Sequence, residues 1–215
     1  MKQIHSRIFF IIVILLLVNN LRSQTLLHPK IAPVGFHPFE SPNQPRLYEN
    51  KIDFNGKWVV EPNIMFSVET YLRGTKLSWR VMPGFYTDAL SQPAMFIHVG
   101  LKYSFLQIWR SSFDIAAGPT LNFREDWNKV PGYTPEGNYN LNGNWENKLD
   151  ILAELEYKFF LSDRIDITAS ALYGHSYNTF TFTFGIRYWT STTIKHPIDC
   201  GSCPFDKTSN KPQRR

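Results

Sequence analysis

The chain has 215 residues, two of them Cys, with 15% aromatic and 19% charged side chains. That length suits one domain with tails, the aromatic content argues against disorder, and two Cys are too few for a disulfide-built miniprotein. The formal charge of +5 belongs to the ends: residues 1–23 hold three basic groups and no acid, residues 195–215 hold five basic and two acidic groups, and 15 basic face 16 acidic residues in between. A basic patch on the folded body is therefore not expected, and nucleic acid is not among the expected partners.

Lys2 and Arg7 precede an unbroken apolar run at residues 8–18. The run is shorter than the roughly 20 residues of a membrane-spanning helix, and with its flanks it reads as a secretory signal cleaved after Ser23. Residues 24–46 read as a Pro-rich irregular segment, 47–190 as the folded body and 191–215 as a basic tail.

From Lys57 the chain keeps a two-residue beat, the mark of half-buried strands. Trp58, Val60, Pro62, Ile64, Phe66 and Val68 oppose Glu61, Asn63, Ser67 and Glu69. Leu77, Trp79, Val81, Pro83 and Phe85 oppose Ser78, Arg80 and Gly84. Met95 to Phe105 oppose His98, Gly100, Lys102 and Ser104, and Phe113 to Phe123 oppose Asp114, Gly118, Thr120 and Asn122. After a long loop, Leu149 to Phe159 oppose Asp150, Glu154, Glu156 and Lys158; Ile165 to Tyr173 oppose Asp166, Thr168 and Ser170; Phe180 to Tyr188 oppose Thr183, Gly185 and Arg187. Strands of about 11–16 residues exceed the usual five or six and match what a tilted strand needs to cross a bilayer.

The connections alternate in length. Residues 73–76, 107–111 and 162–164 are tight turns, whereas 124–146 form a long loop rich in Asn, Gly and aromatics. Short turns on one side and long loops on the other are the habit of outer-membrane barrels. Both ends of such a barrel lie on one side only if the strand count is even. An eighth strand is therefore expected before Lys57, placed at about 47–54.

Alternation alone permits two barrels, one with its apolar face to lipid and one, as in lipocalins, with that face lining a cavity. Gly56-Lys57-Trp58 matches the short G-x-W that opens lipocalins, which supports an exported carrier of a small hydrophobic ligand as one alternative. The glycines favour the first barrel: Gly84, Gly100, Gly118, Gly174 and Gly185 all share the polar face, where a narrow interior needs small residues beside charged ones. The same face carries Glu61, Glu69, Arg80, His98, Lys102, Asp114, Glu154, Glu156, Lys158, Asp166 and Arg187, both signs of an internal ion network. Trp58, Tyr71, Trp79, Tyr103, Trp109, Phe159, Tyr188 and Trp189 near strand ends are read as interfacial girdles.

On this pattern the body resembles the small eight-stranded outer-membrane barrels, of the size of the OmpA transmembrane domain and OmpX. The resemblance implies an all-β, single antiparallel up-and-down transmembrane barrel in the outer membrane of a Gram-negative bacterium, with outer-membrane lipid as its surroundings. An interior filled by side chains should not conduct.

The functional candidates are few. Trp127, Tyr133, Tyr139 and Trp145 stand in the long loop among Asn residues, a composition that suits binding of sugars or of an extracellular protein partner, or a loop folded on its own aromatics above the barrel; a periplasmic protein is the other candidate partner. A structural or surface-interaction role follows, with a lipid A-modifying enzyme as the alternative, because Gly174-His175-Ser176 bears some similarity to the PagL-type acyl hydrolases. It departs from them in having His and Ser adjacent and in having no Glu after Glu156, so no confident catalytic set emerges. Cys200 and Cys203 in the tail are read as a local disulfide. No cofactor or metal is implied.

Overall fold

The computed structural model describes residues 24–38, 48–72, 75–131, 133, 140–174 and 178–190. Eight long strands and one short one are present: β1 (Thr25–Phe36), β2 (Trp58–Tyr71), β3 (Leu77–Thr87), β4 (Pro93–Ile108), β5 (Ser111–Glu125), β6 (Asn140–Asn142), β7 (Trp145–Phe160), β8 (Ile165–Gly174) and β9 (Thr179–Trp189). Each long strand is antiparallel to its chain neighbours, β5 pairs with β7, and β1 pairs with β9, which closes the sheet into an eight-stranded up-and-down barrel. The short β6 only extends β7 as a hairpin inside the long loop.

The beat read from the sequence is the beat of burial. Ile31, Ile64, Phe85, Leu101, Ile151 and Phe184 face outward and are exposed, while Lys30, Glu69, Arg80, Lys102, Glu156 and Arg187 face inward with at most 1% of their surface accessible. This is the reverse of a soluble domain and of a lipocalin, so the hydrophobic-carrier alternative is corrected here: the apolar face does not line a cavity. A belt of exposed Ile, Leu, Phe and Val around a closed sheet is stable only in hydrocarbon, where closure also leaves no strand edge unpaired.

The position of the eighth strand also needs correction. It runs from Thr25 to Phe36, not over 47–54, so residues 25–36 of the segment read as irregular are strand and the barrel begins at Thr25. Pro29 and Pro33 hid it, since proline removes a ladder donor and demotes a strand. Pro33 is accommodated by a bulge, the register with β2 shifting between Ala32 and Val34. In the ladder with β9 the partners pass from Leu27↔Tyr188 to Lys30↔Gly185, with Pro29 between them. Both rings point outward and are exposed, and Pro29 keeps its place opposite Phe66 of β2. The expectation of an even count with both ends on one side holds: Thr190 N–H donates to Thr25 O at 3.1 Å and Tyr71 N–H to Gln24 O at 2.9 Å, at the end of the tight turns.

Glycine makes the narrow interior possible. A Cβ on Gly118 of β5 would run into the carbonyl oxygen of Val99 and lie 2.5 Å from Gly100 Cα on β4. The obstacle is backbone and cannot swing aside. We expect Gly118→Ala to cost about 1–3 kcal/mol by overpacking, read as a lower urea midpoint for the protein folded into phospholipid vesicles; an unchanged midpoint would show that the two strands can separate there.

Candidate functional site

The interior is layered. At the tight-turn end Leu26, Tyr71 and Trp189 form a buried apolar cluster, with the Tyr71 and Trp189 rings stacked 5.6 Å apart. These two aromatics therefore close the lumen and do not belong to an outer girdle. Toward the long loops a second cluster of Ala32, Met65, Met82, Phe96 and Leu172 crosses the lumen. Ten charged side chains are buried between the two, five of each sign: Lys30, Arg80, Lys102, Lys158 and Arg187 against Glu69, Asp114, Glu154, Glu156 and Asp166.

Their pairing crosses the barrel as well as joining neighbours. Glu154 on β7 accepts from both Lys30 on β1 and Arg80 on β3. Glu156, two residues on and therefore on the same face, accepts from Lys30 at 2.7 Å and Lys102 at 2.5 Å. Glu69 accepts from Lys102 and from Arg187, each at 3.0 Å, and Arg187 also donates to Tyr71 Oη at 3.0 Å. Lys158 pairs with Asp114 at 2.6 Å, and Trp189 Nε1–H donates to Asp166 at 2.7 Å. His98 faces the lumen with Lys102 and Asp114 and lies by Arg80 (3.3 Å) and Thr120 (2.9 Å).

Lys30 and His28 were missed in the sequence because β1 was missed. His28 lies 3.3 Å from Glu69 and 2.9 Å from Thr168 Oγ1. Single ligand atoms of His28, Glu69 and Glu156 fall within 4.8 Å of one another. The ammonium groups of Lys102 and Lys30 already serve these carboxylates, so a divalent cation would add charge to a balanced set.

The loop end is also knitted together. Trp127 sits in a short 3-10 turn (Trp127–Lys129) capped by Asp126, whose carboxylate accepts from Asn128 N–H at 2.9 Å. Its ring is buried with Tyr48, Val59, Ala89 and Leu90, with Tyr133 packed edge-on at 5.4 Å. Its Nε1–H donates to Asp88 at 2.6 Å, and the Arg124 guanidinium lies 3.9 Å from the ring centre while donating to Glu146 at 2.7 Å. The Asp88 carboxylate also accepts from Leu90 and Gln92 N–H groups. One aromatic thus joins three connections, 37–57, 88–92 and 126–144.

Of the loop aromatics proposed for contact, Trp127 is the packing centre, Tyr133 is half-buried against it, and Trp145 faces out from the start of β7. Glu61 is at the long-loop mouth, away from the ion network, 3.2 Å from His37, which in turn lies 3.2 Å from Thr179 Oγ1. This chain of hydroxyl, imidazole and carboxylate ties β9, β1 and β2 together on the inner face, where acyl chains in the bilayer do not reach. Tyr139, the His175–Ser176 pair, the Cys200–Cys203 pair and residues 1–23 lie outside the described residues.

No protein-family model matches the chain, and no curated protein matches it. Among solved structures it is similar to the N-terminal β-barrel domain of Pseudomonas aeruginosa OprF (10% identity, 78% of this chain and 98% of that one, TM-score 0.46). It is similar also to Neisserial surface protein A (11%, 76% and 96%, 0.47) and to Ail, the attachment invasion locus protein of Yersinia pestis (9%, 78% and 96%, 0.41). The chain has the architecture of the small eight-stranded outer-membrane barrels, as its own strand order shows.

Three outcomes are expected here. Glu69→Ala leaves Lys102 and Arg187 without a shared acceptor and should destabilise the barrel by about 3–5 kcal/mol; adding Lys102→Met restores charge balance and should recover part of the loss in the same unfolding assay. Trp127→Ala should leave the folded band on unboiled gels intact but make 48–57 and 126–144 cleavable together, with a rise in cleavage rate on the order of 100-fold if about 3 kcal/mol of local packing is lost. Burial pushes the Asp88 carboxyl up, against the pull of its three donors. A folded value above the unfolded one favours the loop cluster at low pH, so mild acidification from neutral should slow that cleavage.

Proposed function

We propose that this protein is a non-conducting barrel of the bacterial outer membrane with a structural or surface-interaction role, its lipid-facing wall serving as anchor and the loop at 124–146 presented outside the cell. The observation that carries the reading is the layered lumen. A charge-balanced network closed by apolar side chains at both ends leaves no water path, because every ion there would meet a low-dielectric layer. The exposed apolar belt supports placement among membrane lipids, and the tight turns at one end support a periplasmic side for both chain ends.

The loop end supports recognition by a different argument. Trp127, Tyr48 and Leu90 pack the described parts of three connections together, and side chains held in place before a partner arrives lower the entropic cost of binding. The occupant that suits an ordered external surface of this kind is another protein.

Fractionation with heat-modifiability tests the reading. The mature protein should stay in carbonate-washed outer membranes and shift on gels when boiled, should show no stable conductance steps in planar bilayers, and in its Trp127→Ala form should be cut within 126–144 by protease added to intact cells. A stable pore would overturn the closed lumen, and protection of 126–144 in that variant on intact cells, with cleavage only after lysis, would overturn the surface role.

A further inference from the structure

The connection from β1 to β2 contains a feature that neither the anchor nor the loop cluster uses. Residues 50–60 fold back as a tight hairpin beside the start of β2: Ile52 N–H donates to Trp58 O at 2.8 Å, Val60 N–H to Asn50 O at 2.9 Å, and Lys51 bridges Val59. Its turn is held by the Asp53 carboxylate, which accepts from Trp58 N–H at 2.7 Å, and by Gly56 at φ +68°, a conformation glycine adopts without strain. The backbone donors that Asp53 accepts hold its carboxyl below the usual range. Asn50 is tied to Ser91 at 2.7 Å and Glu49 to Ala89 at 3.2 Å, so the hairpin is anchored at its base.

Residues directly opposite on paired strands share a face. Val59 is fully buried on the inner side, so Ile52, opposite Trp58, lies on the outer side with it. Ile52 and Phe54 are 60% and 107% exposed. Trp58 in turn joins an outer aromatic strip, 4.7 Å from Phe36 and 5.9 Å from Phe182, with Phe180 next to Phe36 and Tyr173. The apolar tip is therefore continuous with the lipid-facing wall. Phe54 stands two residues beyond Ile52, about 7 Å along an extended chain and about 5 Å in height on a tilted strand. A headgroup layer is itself roughly 5–7 Å deep.

We propose that this hairpin is a lipid contact, resting on the membrane placement argued above. Ile52 and Phe54 enter the boundary between headgroups and acyl chains of the surrounding leaflet. A rigid turn with an apolar end continuous with the lipid-facing wall suits that layer. The contact fixes the height and tilt of the loop end relative to the membrane.

The test places an environment-sensitive dye on Phe54→Cys in the full chain carrying Cys200→Ser and Cys203→Ser, folded into phosphatidylcholine vesicles. Leu101→Cys, on the outer wall, serves as the membrane reference. The proposal expects blue-shifted emission at 54 and quenching by headgroup-level nitroxide lipid several-fold stronger than by aqueous iodide. Quenching at 101 by lipid but at 54 only by iodide overturns the hairpin contact and leaves the tip for a protein partner. Absence of lipid quenching at 101 as well overturns the membrane placement itself.

Discussion

Everything in this barrel depends on the requirement that its buried charges balance. Ten ionised groups in a narrow lumen would be ruinous singly, since an unpaired charge out of water costs several kcal/mol or more. They are tolerable because the signs are equal in number and because acceptors such as Glu154 and Glu156 are shared by cations from opposite sides of the wall. The network also dictates topology. Lys30 reaches Glu154 and Glu156 only if β1 closes against β9 in the observed register, and Gly185 lies where a Cβ would come within 2.9 Å of His28, the Pro29 carbonyl and Lys30.

This balance explains why the lumen is layered. Coulombic attraction strengthens as the dielectric falls, and the two apolar clusters exclude water from the charged zone. The cluster of Tyr71, Trp189 and Leu26 does so at the tight-turn end, that of Met65, Met82 and Phe96 at the other. A channel needs the opposite arrangement, a continuous polar path. The same side chains that hold the wall together thus fill the lumen between the two clusters.

Much of this was legible because a strand with one face in lipid and one in a crowded lumen has the strictest alternation a sequence can show. The charged lumen residues of β2 to β5 and β7 to β9 were readable, the apolar inward Met65, Met82, Phe96 and Leu172 were not, and the parity argument demanded an eighth strand. Its place was not readable. Pro29 and Pro33 erase the β signal locally, while closure by neighbours on both sides overrides it, a long-range effect no local pattern records. Tyr71 and Trp189 were assigned by residue type to the girdle although their odd positions put them inward; position outweighs type when the period is two. The joining of Trp127 to Asp88 spans 39 residues and depends on the barrel bringing two loops together, so composition alone showed the aromatics without their direction.

The division between wall and rim has a mechanical consequence. Inside the wall the shared carboxylates Glu69, Glu154 and Glu156 each hold cations from other strands, so a change there is transmitted to several strands. At the long-loop end some commitments stay within one turn, Asp53 to its own hairpin and Asp126 to its own 3-10 turn, while Asp88 reaches Trp127 in another connection. Such local units can vary in length and chemistry without disturbing the charge balance below them. A barrel built in this way separates the residues that make it fold from those that meet lipid or a partner, and the hairpin at 50–60 and the cluster around Trp127 are the two surfaces where that freedom is available.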